Sequence, residues 1–478
     1  MRGLVLWWTT MSAVLLAPIG ASASTLDDIG FTTLQSSLGE LLPSGDQSTV
    51  DQSEASVAPQ EDTPIYLANG SLDRFSQTQI VDQSGINSSA FSGHANSVAS
   101  RIAGLHEGQL SNLSRIDGYE ANHWLIEVLK RLTVSAPQSG TGDFGNHSWV
   151  GTTSTVIDDV DILQRLDWLV ADDDYFHAVG ASAPSNSILM AYAMNVVAVK
   201  NTGATISMAT LALDGVYQAG RPAVHLVAPA GTPSDATGVV SSSAVLLTEL
   251  FPSVPLVPEL LKAILMTSAE RVTDNVQEEQ IINYGAEPTQ NGLDYRYGAG
   301  QLNVLNAYEI LSTGTQNSSG SVTPVGYHLA QNYGAQNQVN VYAFETGDKP
   351  DYFVASLVWN LNVNVPPAAF VPNPILYNLD LALFDVSNGQ STLVAESTSE
   401  IDNTENLRVQ LMPHRHYELR VSHSHPTNFS WPYALAWRLT NNDLLSETKQ
   451  IPFLNPSASV LLSLLLVAFV SYARSRER

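Results

Sequence analysis

Two hydropathy patterns in succession restrict this chain most. From about residue 61 to 312, short apolar runs (TPIYLA, NVVAVKN, AVHLVAP) alternate with helical patterns (ANSVASRIAGL, HWLIEVLKRLTV, ILQRLDWLV, ELLKAILMTSA). Strands separated by helices predict a parallel α/β sheet, because a parallel neighbour is reached only through a crossover. From about 320 to 441 the period shortens to two in QVNVYAFE, FVASLVWNLNV, LDLALFDV, STLVAES, LRVQLM, HYELRVS and YALAWRL. Alternation of that kind, broken by turn residues, predicts a β-sandwich. Residues 24–60 are rich in Ser, Gln, Asp and Gly and read as a linker or a vestigial pro-segment.

Charge and the chain ends narrow the setting. The 46 acidic residues against 21 basic ones leave a formal charge of −25, which excludes nucleic acid as a partner because phosphate binding needs a basic surface. The absence of Cys excludes disulfides, thiolate chemistry and Cys-based zinc sites. Arg2, the apolar run Leu4 to Ile19 and Ala21-Ser22-Ala23 make residues 1–23 read as a secretory signal. Residues 451–478 hold an apolar segment from about Ala458 to Ala473, followed by Arg474, Arg476 and Arg478. That segment is near the lower limit for a spanning helix, with the arginines on the cytoplasmic side. The expectation is an exported chain in the cell envelope or outside it, held to the membrane by its C-terminal helix.

Four stretches carry chemistry. Gly93-His94-Ala95-Asn96-Ser97-Val98-Ala99 places an imidazole at the mouth of a helix, where a His also serves simply to bond nearby backbone. Asn146-His147-Ser148-Trp149-Val150-Gly151 is a strand end. Thr232-Pro233-Ser234-Asp235-Ala236-Thr237-Gly238 runs from a turn into the small-residue helix SSSAVLLTELF; by itself Ser234 also fits a helix cap. Lys262-Ala263-Ile264-Leu265-Met266-Thr267-Ser268-Ala269 and Tyr297-Gly298-Ala299-Gly300-Gln301-Leu302-Asn303 form a helix and a glycine turn.

Taken in order, these stretches resemble the subtilisin-like serine proteases, which carry His-Gly-Thr-His-Val-Ala-Gly, Asn-x-Ser-Trp-Gly, Gly-Thr-Ser-x-Ala-x-Pro and a closing Tyr-Gly-x-Gly-x-x-Asn. The resemblance covers about residues 61 to 312. It implies a subtilisin-like parallel sheet with helices on both faces, and a polypeptide substrate cleaved with Ser234 as nucleophile and His94 as base. The family's third member, an Asp at the end of the first strand, has Ala68 in its place within Ile65-Tyr66-Leu67-Ala68-Asn69-Gly70. Asp82, in Ile80-Val81-Asp82-Gln83-Ser84-Gly85, and Asp73 are the candidates for that role. The family's oxyanion Asn is absent from Phe176-His177-Ala178-Val179-Gly180-Ala181-Ser182-Ala183, where Ser182 is the candidate donor. Pro233 precedes the nucleophile, and Gly238 replaces the family's Pro. The other class of function open to such a chain is a catalytically impaired homologue that binds peptides or acts in cell-surface interactions.

The family often binds calcium, for which the acidic turn Asp172-Asp173-Asp174 is the place to look, although a solvated turn has the same composition. His414-x-His416 and His423-x-His425 have a spacing compatible with metal binding and equally with a sheet surface, so no metal ligand is assigned. The strands from 320 to 441 resemble jelly-roll or pre-peptidase C-terminal domains. The last 28 residues resemble a PEP-CTERM sorting tail, with Phe453 where Glu is usual.

Overall fold

The computed structural model describes residues 25–57, 64–105, 107–181, 189–203, 211–271, 288–349, 351–425 and 427–440. The segments expected to be a signal (1–23) and a membrane-anchoring tail (451–478) lie outside them. Among the described residues no helix is long and apolar enough to cross a membrane.

The first part is a seven-stranded sheet built from β1 (Thr49–Glu54), β2 (Gln79–Asp82), β3 (Arg115–Glu120), β4 (Phe144–His147), β5 (Phe176–Gly180), β6 (Val197–Asn201) and β7 (Leu226–Ala228). Their order is β2-β3-β1-β4-β5-β6-β7, and every pairing is parallel. Helices cover both faces. On one, α3 (Gly93–Ala103), α6 (Pro233–Leu250), α7 (Pro258–Ser268) and α8 (Val304–Ser312) enclose a core with Val50, Val197, Val199 and Leu226, joined by α1 (Thr25–Asp28) and α2 (Phe31–Leu38). On the other, α4 (Ala121–Glu127) and α5 (Val156–Asp172) pack Trp124, Leu163 and Leu166 against Val179 and Ala198. This is the parallel sheet with helices on both faces that the sequence led one to expect.

The stretch read as a linker or vestigial pro-segment is corrected here. Residues 31 and 34 are core, and β1 lies inside the sheet between β3 and β4. β1 escaped a hydropathy reading because Val50 is its only apolar residue, yet Asp51, Gln52, Ser53 and Glu54 are all buried. Hydrogen bonding, not apolar content, makes that burial tolerable. Conversely, the described part of TPIYLA, residues 64–68, forms no strand. The N–H groups of Tyr66 and Leu67 donate to Asn87 Oδ1 at 3.0 and 3.1 Å, so a side chain takes the place of a strand partner.

The C-terminal part is a sandwich. One sheet has the order β15-β14-β17-β10-β8, from β8 (Gly320–Ser321), β10 (Asn340–Glu345), β14 (Leu379–Asp385), β15 (Thr392–Ser397) and β17 (His416–His423). The other has the order β16-β11-β18-β9, from β9 (Gly326–Tyr333), β11 (Asp351–Val358), β16 (Thr404–Leu411) and β18 (Trp431–Thr440). The ribbon β12 (Asn362–Asn364) and β13 (Asn373–Ile375) projects toward α5. Inward residues such as Phe353, Leu381, Leu419 and Trp437 make the core between the sheets. The sandwich docks through buried polar contacts as well: Arg438 Nε donates to the carbonyl of Thr267 at 2.8 Å, and Asn403 Nδ2 donates to Asn195 Oδ1 at 3.2 Å.

Candidate active site

The site is assembled at the C-terminal edge of the sheet, where ligands bind in open α/β folds. His94 and Ser234 occupy the same place on two different helices. Ser92 caps α3, its hydroxyl accepting from Ala95 N at 3.1 Å, so His94 stands in the first turn. Thr232 caps α6, its hydroxyl accepting from Asp235 N at 3.1 Å, with Pro233 at the first helical position. Pro there has a suitable φ and lacks only an N–H that would have no helical partner. The capping role thus belongs to Thr232, leaving the Ser234 hydroxyl free of it.

The carboxylate beside His94 is Glu54. Its Oε2 lies 2.6 Å from His94 Nδ1, and its side chain is 2% exposed against 42% for the imidazole. A carboxylate only accepts, so Nδ1 carries the proton, and in the neutral ring Nε2 is left as the acceptor. Gln52 holds the other oxygen: its Nε2 donates to Glu54 Oε1 at 2.8 Å and to the carbonyl of Ala95 at 3.0 Å. Strand alternation explains the aim, since Glu54 shares a face with Val50 and Gln52, toward α3. The bond to Glu54 raises the His94 pKa above its ordinary value, burial opposes that, and the charges of Glu54 and Asp235 add to the rise.

Asp82 and Asp73 do not fill this place. Asp82 ends β2, the edge strand of the sheet, and accepts from the Tyr66 hydroxyl and from the N–H groups of Gly85 (2.9 Å) and Asn87 (3.3 Å). Asp73 is an exposed residue of a one-turn helix, Asp73–Phe75. Ala68 is buried in the core. The missed residue, Glu54, is the last of β1, a strand whose sequence TVDQSE carries a single apolar residue and so no hydropathy signal.

The Asn-x-Ser stretch clamps the turn at Ser234. Ser148 Oγ donates to the carbonyl of Ser234 at 3.0 Å, and Ser234 Oγ donates to the carbonyl of Ser148 at 3.2 Å. Asn146 supports this from behind, donating to Ser148 Oγ at 3.1 Å and accepting from Ser241 Oγ at 3.0 Å. In this structure, therefore, the Ser234 hydroxyl is turned to the backbone and not to His94. The Ser234 N–H, in the first turn of α6, has no hydrogen-bond acceptor among the described residues. It belongs to the positively polarised end of the helix. Ser182, the expected oxyanion donor, lies outside the described residues.

Gly238 has a packing reason. A Cβ there would stand 3.0 Å from Arg101 Cβ and from the carbonyl oxygen of Val98, so α6 crosses α3 at closest approach on this residue. A cleft of about 410 Å³ opens beside the site, lined among others by Ser56, Glu120, Leu125, Arg131, Trp149 and Gly151. A larger cleft of about 590 Å³ lies at the opposite end of the strands, between Ser48, Phe144, Phe176 and Glu249, away from this chemistry.

The remaining candidates stand apart. Asp172 ends α5, and Asp173 accepts from Ser139 Oγ at 2.7 Å. His414 faces Asp348 at 3.8 Å and His416 faces Glu345 at 3.0 Å, while His423 Nε2 bonds the carbonyl of Ala335 at 2.9 Å and His425 Nδ1 that of Thr427 at 2.9 Å. Among the described residues no group of three or more His, Asp or Glu side chains is placed to hold a metal ion.

No protein-family model and no curated protein matches this sequence. Solved structures similar to it include the prenylagaramide maturation protease PagA, 15% identical over 57% of this chain and 96% of the other, with a TM-score of 0.38. A cold adapted subtilisin-like serine proteinase is 16% identical over 49% and 86%, with a TM-score of 0.33. The pre-peptidase C-terminal domain of a collagenase from Bacillus anthracis is 14% identical over 26% and 99%, with a TM-score of 0.19. These are distant likenesses of fold, and the chemistry rests on this chain's own residues.

Proposed function

We propose that this chain is a serine-type endopeptidase, exported and tethered to a membrane by its C-terminal segment. The observation that carries the reading is the 2.6 Å contact between His94 Nδ1 and buried Glu54. A hydroxyl becomes a nucleophile when an imidazole removes its proton, and the imidazole does so when its tautomer is fixed and its cation is stabilised. Glu54 supplies both for His94. Ser234, after rotating away from the Ser148 carbonyl, would pass its proton to Nε2 while its oxygen bonds the scissile carbonyl carbon. The tetrahedral oxyanion would take the Ser234 N–H. His94 would then hand its proton to the leaving amine, and water would release the acyl group by the reverse path. The polypeptide would lie along Ser148–Gly151 with side chains in the adjoining cleft.

Fluorophosphonate labelling of the purified chain tests this. The expected result is one adduct, on Ser234, abolished by His94→Ala. A second reading, a peptide-binding chain without turnover, is favoured by the Ser234 hydroxyl's bond to Ser148. Peptide binding with no adduct at any pH from 5 to 9 would replace the first reading by the second.

A further inference from the structure

Besides Glu54, which bonds His94 directly, a second carboxylate stands one helical turn away, bonded to Ser97 on the same helix. Asp235 follows Ser234 in the first turn of α6 and is 7% exposed. Its Oδ1 accepts from Ser97 Oγ at 2.7 Å. Ser97 is one helical turn beyond His94 on α3, so this bond ties the base's helix to the nucleophile's helix next to both reacting groups. Between them the helices are already in contact at Gly238, where the fit leaves no room for a side chain. Because neither helix covalently adjoins the other, their relative sliding sets the distance from His94 to Ser234; a tie one residue from the nucleophile resists it where it matters most.

We infer that Asp235 is a positioning residue that holds α3 and α6 in register through Ser97 and keeps a second negative charge one helical turn from His94. The inference rests on the proteolytic reading for its rate effects, and on the bond from Ser97 to Asp235, one helical turn from His94, for the placement of the charge. The charged groups acting on His94 come from two packed elements, Glu54 from β1 and Asp235 from α6. On α3 itself Arg101 is two turns away and faces Glu107 at 3.9 Å. A negative charge near an imidazole favours the protonated ring. Proton transfer from Ser234 makes that cation, so Asp235 would stabilise it together with Glu54, on a site only partly exposed to water.

Two variants separate charge from tie. Asp235→Asn keeps the shape and an acceptor for Ser97 but removes the charge; Ser97→Ala removes the tie and keeps the charge. In the full chain, NMR titration of the histidine ring follows His94 whether or not the chain turns over, with His94→Gln identifying its signal. Asp235→Asn should lower the His94 pKa and carry the acid limb of kcat/KM to lower pH, with Asp235→Glu restoring part of the shift. Ser97→Ala should reduce the labelling rate by about tenfold, the order of one charge-assisted hydrogen bond, with the limb in place. An unmoved His94 titration in Asp235→Asn overturns the charge role, and an unchanged labelling rate in Ser97→Ala overturns the tie. If no variant and no wild type is labelled while the ring titration still moves, the proteolytic reading fails and the effect on His94 stands.

Discussion

The guanidinium carbon of Arg165 lies 4.2 Å from the centre of the Phe370 ring, joining a helix of the parallel-sheet region to an arm of the sandwich. Arg165 is itself a hub. It donates to the carbonyls of Leu129 (3.2 Å), Thr133 (2.7 Å) and Ser135 (2.9 Å), fixing the loop after α4. Phe370 N–H adds a bond of 2.7 Å to the carbonyl of Val134 in the same loop. That loop carries Arg131, which lines the cleft beside the candidate site. The sandwich thus braces one wall of the groove in which a peptide would lie.

Phe370→Ala should therefore weaken peptide engagement more than chemistry. Losing a cation–π contact and its packing is worth about 1 kcal/mol or more, so KM should rise several-fold with kcat nearly unchanged, alongside a lower Tm from the cavity. Steady-state kinetics on a peptide ester checks the split. A fall in kcat at constant KM would show that the arm does not act through the cleft.

Substitution of Glu54 tests the heart of the site. Glu54→Gln keeps the size but replaces an acceptor that fixes the His94 tautomer and balances its cation, so kcat/KM should fall by about 10²–10⁴-fold. Glu54→Asp shortens the reach and should retain more activity than Gln. The sign of the pH effect follows from the raised His94 pKa, of which the Glu54 bond is the largest cause. Stability from this pair is fully present below the ordinary His pKa and is lost as pH rises through the folded value. In Glu54→Gln the acid limb of the rate profile should move down. Asp82→Asn and Asp73→Asn should leave the limb where it is, since neither residue bonds His94.

Most of the architecture was readable because burial and hydropathy coincide along it. In the sandwich, LDLALFDV and HYELRVS alternate in sequence as β14 and β17 do in burial. His94 and Ser234 were readable because helix starts have chemical signatures, a capping hydroxyl and small inner residues. β1 was not, because its burial is satisfied by partners distant in sequence. Gln52 reaches Ala95, Ser53 accepts from Trp149 Nε1 at 3.1 Å, and Glu54 meets His94. Glu54 therefore lies upstream of the run at Ile65, the first that hydropathy marks as a strand, while Asp82 and Asp73 lie downstream of it. The function of Gly238 was hidden for a related reason: a close helix crossing shows in sequence only as an unexplained glycine.

Gly238→Ala turns that crossing into a measurement. The added methyl would stand 3.0 Å from the Val98 carbonyl oxygen and from Arg101 Cβ, so α3 and α6 must part by a few tenths of an ångström. Overpacking of this kind costs about 1–3 kcal/mol. Since His94 and Ser234 sit at the starts of these two helices, the labelling rate should fall more steeply than the stability. Equal labelling of the folded variant and the wild type would show that the helix spacing does not govern the pair.

The last prediction concerns the other face of β1, where Asp51 is buried and accepts from the Tyr175 hydroxyl. Burial is the largest cause raising its pKa to about 7; the Tyr175 bond opposes it, and the charge of Asp117 adds to it. The loop at Gly140 is pressed so close that a Cβ there would overlap the Asp51 carboxylate, so water has no room to relieve the charge. Between the ordinary Asp pKa of 3.8 and about 7, the unfolded chain releases this proton while the folded chain keeps it. Stability from this residue therefore falls as pH rises through that window, and the full cost is present above it. Asp51→Asn cannot ionise, so its stability relative to the wild type should improve from pH 4 to pH 7.5, by about 4 kcal/mol at most. Urea unfolding of both proteins across that range reads the difference directly. Parallel curves would mean that Asp51 ionises in the folded chain as easily as in the unfolded one, and that the buried face of β1 is wetter than its packing allows.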